Sequence, residues 1–166
     1  VIQHALDLPV SKYAVTRNGE TIYEIESFAE LASVTAKPVI EMVSDRGLPT
    51  AVFFPEGHQP GSHKLPVVVS IYGGPHHSEV IAACAPFAGD QWLANQGYAV
   101  VVIDNAGTPG KGGAWEREVK NDLTEVILQD QVKGLKEIFA KYPNDMDENR
   151  VGIKGWSFGG YLSALA

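Results

Sequence analysis

A chain of 166 residues, 45% hydrophobic and 20% charged, has the size and composition of one globular domain with a sizeable core, which excludes the disordered and fibrous classes. Thirteen basic against 20 acidic side chains leave a formal charge of −7, so a nucleic-acid backbone is repelled over most of the surface. The single cysteine, Cys84, cannot form an internal disulfide and reads as a small buried apolar residue, and no run approaches the ~20 apolar residues of a membrane-crossing helix.

The chain opens VIQHALDLPV, with no initiator Met and no charged-then-apolar leader; no signal peptide is read, and both ends read as cut. Residues 12–26, KYAVTRNGETIYEIE, predict a hairpin turning at Asn18-Gly19. A second hairpin is predicted over residues 37–57, with Asp45-Arg46-Gly47 at its tip, and a polar Pro/Gly loop follows over 55–66. Residues 65–75 (LPVVVSIYGGP), 97–107 (GYAVVVIDNAG) and 149–157 (NRVGIKGWS) are β-branched runs bounded by Gly, Pro or Asn, as expected of strands buried on both faces. Between the first two, PFAGDQWLANQG predicts a helix whose apolar face is Phe87, Trp92 and Leu93, stopped at Gly97. Between the second and third, Leu128, Val132, Leu135 and Phe139 recur at helical spacing with Ile138 beside them, until Tyr142-Pro143-Asn144 ends the helix. Strands alternating with helices predict right-handed crossovers and a mostly parallel α/β sheet. No internal repeat is visible, although one hairpin can be the remnant of a repeat array.

Gly155-Trp156-Ser157-Phe158-Gly159 is a Gly-x-Ser-x-Gly pentad placed where a strand meets a helix. With nine serines and 17 glycines in the chain, chance supplies roughly 0.1 such match, and the strand-turn-helix setting sharpens the signal. In a nucleophile elbow the serine occupies a strained turn that lifts its hydroxyl above the sheet, and the flanking glycines let neighbouring backbone come close. A tight structural turn is the plainer reading of the same pentad. Ser157 is the candidate nucleophile, and the Phe158 amide, at the head of the following helix, is a candidate oxyanion donor. A second donor is expected from the loop after an earlier strand, where IYGGPHH (residues 71–77) stands, with Tyr72 otherwise a half-buried strand residue.

In α/β hydrolases the triad runs Ser, then Asp or Glu, then His. All five histidines (His4, His58, His63, His76, His77) precede Ser157 and only nine residues follow it, so the triad acid and base are expected beyond Ala166. His76 and His77 stand beside the oxyanion loop as candidate substrate-lining residues or as plain loop histidines. His58 and His63 lack a Cys or carboxylate cluster at metal-site spacing, so no metal site is read. Asp104, at a strand end near the active face, reads as a cap of the following turn. GTPGKGG (residues 107–113) resembles a phosphate loop but lacks the Gly-Lys-Ser/Thr ending, so a nucleotide site is rejected and no cofactor is expected.

Together, IYGGP, VVIDNAGTPGKGGAWE, QDQVKGL and GWSFGGYL resemble, in order and spacing, the catalytic domain of the prolyl oligopeptidase family, on its dipeptidyl peptidase IV branch. The resemblance covers residues 36–166, while residues 1–35 look like the end of that family's β-propeller and its linker. It implies a partial α/β-hydrolase fold, Ser157 as the acyl-forming nucleophile, and the Phe158 amide and Tyr72 hydroxyl as oxyanion donors. It also implies peptide substrates, and as partners a β-propeller and the rest of the hydrolase domain, with a homo-oligomer compatible and neither nucleic acid nor membrane involved. A cytoplasmic location is the matching expectation. The family usually carries Arg where this chain has Ala106, which puts the local geometry of that loop in question. An esterase or lipase of the same fold and a non-catalytic α/β module are the competing readings; the His-Gly-Gly-Gly of many esterases is absent here.

Overall fold

The computed structural model describes residues 1–30 and 34–166. β1 (Ile2–Ala5), β2 (Leu8–Arg17) and β3 (Glu20–Ile25) form an antiparallel sheet of their own in the order β1-β2-β3. The turn between β2 and β3 has Asn18 at φ 53° and Gly19 at φ 86°, the left-handed pair that a two-residue hairpin of matching twist requires. This small sheet is tied to the rest by the Cys84 amide, which donates to the Ala5 carbonyl at 3.1 Å, and by Leu6, packed against the core cluster that contains Phe87. Residues 31–33, within the expected 1–35 segment, lie outside the described residues.

The main sheet contains β4 (Val39–Val43), β5 (Leu48–Phe53), β6 (Leu65–Ile71), β7 (Ala99–Ile103) and β8 (Met146–Gly155), ordered β4-β5-β7-β6-β8. β6 runs parallel to both β7 and β8, whereas β5 pairs antiparallel with β7 and with β4. A 3₁₀ turn (Ala85–Phe87) and α1 (Ala88–Ala94) cover one face; α3 (Glu125–Lys141) and α4 (Phe158–Leu165) cover the other, and the short α2 (Gly113–Arg117) follows the β7 loop. β7 shows why its sequence is almost uniformly apolar: Ala99, Val101 and Ile103 enter the core under α3, and Val100 and Val102 enter the one under α1.

Among the described residues β8 is the last strand of the sheet, with Val151 and Ile153 open and only Met146 fully buried. Two expectations need correction. In α3 the buried stripe is Ile127, Asp130, Gln131, Gly134 and Ile138, while Val132 faces outward at 51% exposure and Leu128, Leu135 and Phe139 only flank the core. The stripe rotates because Gly134 admits the sheet closely, a Cβ there lying 3.0 Å from Ile103 Cδ1, and because Asp130 and Gln131 bond to backbone of the β7 exit. In α1, Trp92 is exposed and Gln91 is buried instead, its amide donating to the Phe54 carbonyl and accepting from the Lys37 N–H. β1 and α2 were not foreseen at all.

Candidate active site

The register pairs Ile71 with Gly155, so β6 and β8 end side by side and release Tyr72 and Trp156 at the same edge of the sheet. Ser157 follows at φ 53°, ψ −119°, a conformation that costs a non-glycine residue of order 1–3 kcal/mol. It is exposed, and α4 begins at the next residue. The bend closes with the Gly159 amide donating to the Trp156 carbonyl at 2.9 Å and the Tyr161 amide donating to the Ser157 carbonyl at 3.1 Å.

Two glycines make the bend sterically possible. A Cβ at Gly155 would lie 2.1 Å from the Gly159 carbonyl oxygen, and one at Gly159 would lie 2.0 Å from the Ile71 carbonyl oxygen and 2.9 Å from Tyr72 Cα. The first turn of α4 thus rests directly on the backbone that carries Tyr72. Phe158 is the first residue of α4, where an amide N–H has no intrahelical acceptor and stays available to an incoming anion.

Tyr72 is half-buried, its ring over Gly74, where a Cβ would lie 2.7 Å from Tyr72 Cε1 and 3.4 Å from Phe158 Cδ1. His77 stacks edgewise on it, ring centroids 5.1 Å apart, and pairs with Glu79 at 3.2 Å. His76 is exposed at φ 67°. Beside Tyr72 and Trp156 opens a cleft of about 350 Å³ whose polar lining includes Ser70, Glu79 and the Asp90–Lys154 ion pair.

Asp104 does not cap the turn that follows it. It is buried, and its two carboxylate oxygens accept the Glu79 and Val80 amides at 3.0 and 3.1 Å, bracing the loop that follows β6. Burial pushes its carboxyl above the ordinary value, partly offset by those two N–H groups. Ala106 is fully buried, and its amide donates to Asp130 at 2.8 Å. A guanidinium reaches this region from the β4–β5 turn: Arg46 pairs with Asp130 at 2.7 Å and Glu118 at 2.6 Å over the Trp115 ring. Lys111, from the glycine-rich loop, is engaged with the Arg46 and Gly47 carbonyls.

The loop histidines are better anchored than a polar Pro/Gly segment suggests. The His58 side chain is enclosed, stacked on Phe54 at 5.0 Å, and bonded through Nε2 to Asp145 Oδ1 at 2.7 Å; the same oxygen accepts the Gly61 amide at 2.6 Å. Burial pushes the Asp145 carboxyl up, but the Gly61 N–H and His58 outweigh it and hold it below the ordinary value. A depressed folded pKa means that the contribution to stability is present above the unfolded value of about 3.9 and is lost as pH falls through the folded one. Asp145→Asn is therefore expected to cost about 1–3 kcal/mol at pH 7 in urea unfolding. That deficit should shrink toward pH 3; a deficit equal at both pH values would refute the assignment. Among the described residues, no three His, Cys, Asp or Glu side chains converge as a metal cluster. No helix among them is long and apolar enough to cross a membrane.

With the bend, its glycines and the Tyr72 loop described, comparison with known proteins decides the lineage. Residues 88–166 belong to the prolyl oligopeptidase family. Human dipeptidyl peptidase 8 is 37% identical over 149 residues, which cover 86% of this chain and 16% of that protein. Dipeptidyl peptidase family member 1 of Caenorhabditis elegans is 27% identical over 116 residues, covering 70% of this chain and 14% of that one. The crystal structure of a Bacteroides ovatus protein assigned as a dipeptidyl aminopeptidase IV superposes with a TM-score of 0.70 at 27% identity, covering 92% of this chain and 24% of that chain. The chain thus spans between about a seventh and a quarter of these relatives. The main sheet, with helices on both faces, is that of the α/β hydrolases. The family segment takes in Ser157 and the β7 exit, while Tyr72 lies ahead of it.

Proposed function

We propose that these residues carry the nucleophile and both oxyanion donors of a serine peptidase of dipeptidyl-peptidase type. The observation that carries the reading is the exposed, positive-φ Ser157 at a bend whose Gly159 abuts the Tyr72 backbone. In the proposed reaction Ser157 Oγ attacks the scissile carbonyl of a short peptide and forms an acyl-enzyme, which water then hydrolyses. The negative oxygen of each tetrahedral intermediate takes hydrogen bonds from the Phe158 amide and the Tyr72 hydroxyl, both strongest when the charge is greatest. The proton from Oγ passes to a histidine oriented by an aspartate, supplied by parts of the protein other than these 166 residues. His58, His63 and His77 are engaged with Asp145, Ser62 and Glu79. The unpaired side of β8 suits further strands of the same hydrolase sheet, and the 1–35 segment suits the end of a propeller. A buried, unpaired Cys84 suits a cytoplasmic protein.

A panel of dipeptidyl and acyl-dipeptidyl anilides, offered to the full-length protein, tests the substrate class: cleavage only of those with a free amino terminus supports a dipeptidyl peptidase, and cleavage of none refutes the peptidase. Tyr72→Phe is expected to lower kcat roughly 10²- to 10³-fold with little change in KM, because a phenol that donates to the oxyanion acts mainly in the transition state. An unchanged kcat would remove Tyr72 from the reaction.

A further inference from the structure

Two consecutive residues at the exit of β7 each hold a different piece of the site. Asp104 grips the far end of the loop at Glu79 and Val80. Asn105, fully buried, grips the near end: its Nδ2 donates to the Gly73 carbonyl at 3.1 Å and to the Ala106 carbonyl at 2.7 Å. Its Oδ1 accepts from Gln131 Nε2 at 3.0 Å, and Gln131 also donates to the Ile103 carbonyl at 2.8 Å. Gln131 thereby fixes which way the Asn105 amide faces, since only its NH₂ end can serve two carbonyls. Gly73 has no slack: it sits at φ 66°, where a Cβ would lie 2.8 Å from Asn105 Oδ1 and 2.7 Å from Leu162 Cδ1 of α4.

Resting on the proposed role of Tyr72, we infer that Asn105, oriented by Gln131, is a positioning residue for the oxyanion phenol. Tyr72 is held on one side by the β6 ladder ending at Ile71 and on the other by the Gly73 carbonyl that Asn105 clamps. The phenol oxygen is at the far end of a long side chain, so a small rotation at the backbone is magnified there. A misplacement of about 1 Å is enough to cost ~10²-fold in rate. Neither Asn105 nor Gln131 needs to touch substrate for this.

The test uses the full-length protein and peptide anilides. Asn105→Asp puts a carboxylate oxygen against the Gly73 and Ala106 carbonyls; buried there, it is expected to lower kcat about 10- to 100-fold at pH 8 with KM nearly unchanged. Protonation at lower pH restores one donor, so kcat relative to the parent protein should recover toward pH 6. Combined with Tyr72→Phe, it should cost little beyond Tyr72→Phe alone, because the clamp acts through the phenol. If the two losses multiply, or if KM rises instead of kcat falling, the inference is overturned. If Asn105→Asp does not fold, Gln131→Met, which frees the Asn105 amide without adding charge, decides by the same cycle. A Tyr72→Phe enzyme with unchanged kcat would instead sink the underlying reading of Tyr72, which separates the two failures.

Discussion

Replacing Ser157 by Ala is expected to abolish covalent labelling of the full-length protein by a fluorophosphonate and to reduce kcat on a peptide anilide by roughly 10⁶-fold, the scale seen when a hydrolase loses its nucleophile. The serine is held at φ 53°, where most residues are strained, yet its side chain is exposed instead of packed. Strain at an open position is hard to account for by packing, since nothing is gained by burial there. Alanine relieves none of the backbone constraint, so the variant should unfold at nearly the same urea concentration as the parent. Labelling that survives the substitution would overturn the nucleophile assignment.

The second large effect is on the fold. Gly159→Ala is expected to destabilise by about 3–5 kcal/mol in urea unfolding, because the new Cβ would lie 2.0 Å from the Ile71 carbonyl oxygen and 2.9 Å from Tyr72 Cα. Both are backbone atoms of the strand end and loop, so relief requires moving α4 away from the sheet. The neighbouring glycine is the control. At Gly160 the nearest atom to an added Cβ is the Gly155 carbonyl oxygen at 3.4 Å, and alanine gains up to about 1 kcal/mol in helix propensity. Gly160→Ala should therefore be near neutral. Equal effects at the two positions would contradict the contact between α4 and β6.

How much of this was legible follows from what each residue says locally. The hairpin at Asn18-Gly19, the β-branched strands and the Gly-x-Ser-x-Gly bend announce themselves because one short-range requirement fixes each: a left-handed turn, a buried ribbon, a close approach. The buried stripe of α3 was not legible, since Asp130, Gln131 and Gly134 look like solvent-facing positions until their partners on β7 are known. For the same reason Asp104 reads as a local cap when its acceptors serve a loop 24 residues back. Asn105 and Gln131 were missed as part of the site altogether. The one available signal was a polar pair, Asp104-Asn105, ending a strand too apolar to need it. β8 is legible as a strand from its β-branched residues, and Val151 and Ile153 stay open because no described strand pairs beyond it.

The contact of Gly159 with the Tyr72 main chain joins two pieces of peptide with no side chain between them. Such a joint has no rotamers to sample, so a shift of α4 passes straight to the Tyr72 main chain, and only the side chain beyond it is left for the Gly73 loop to steer.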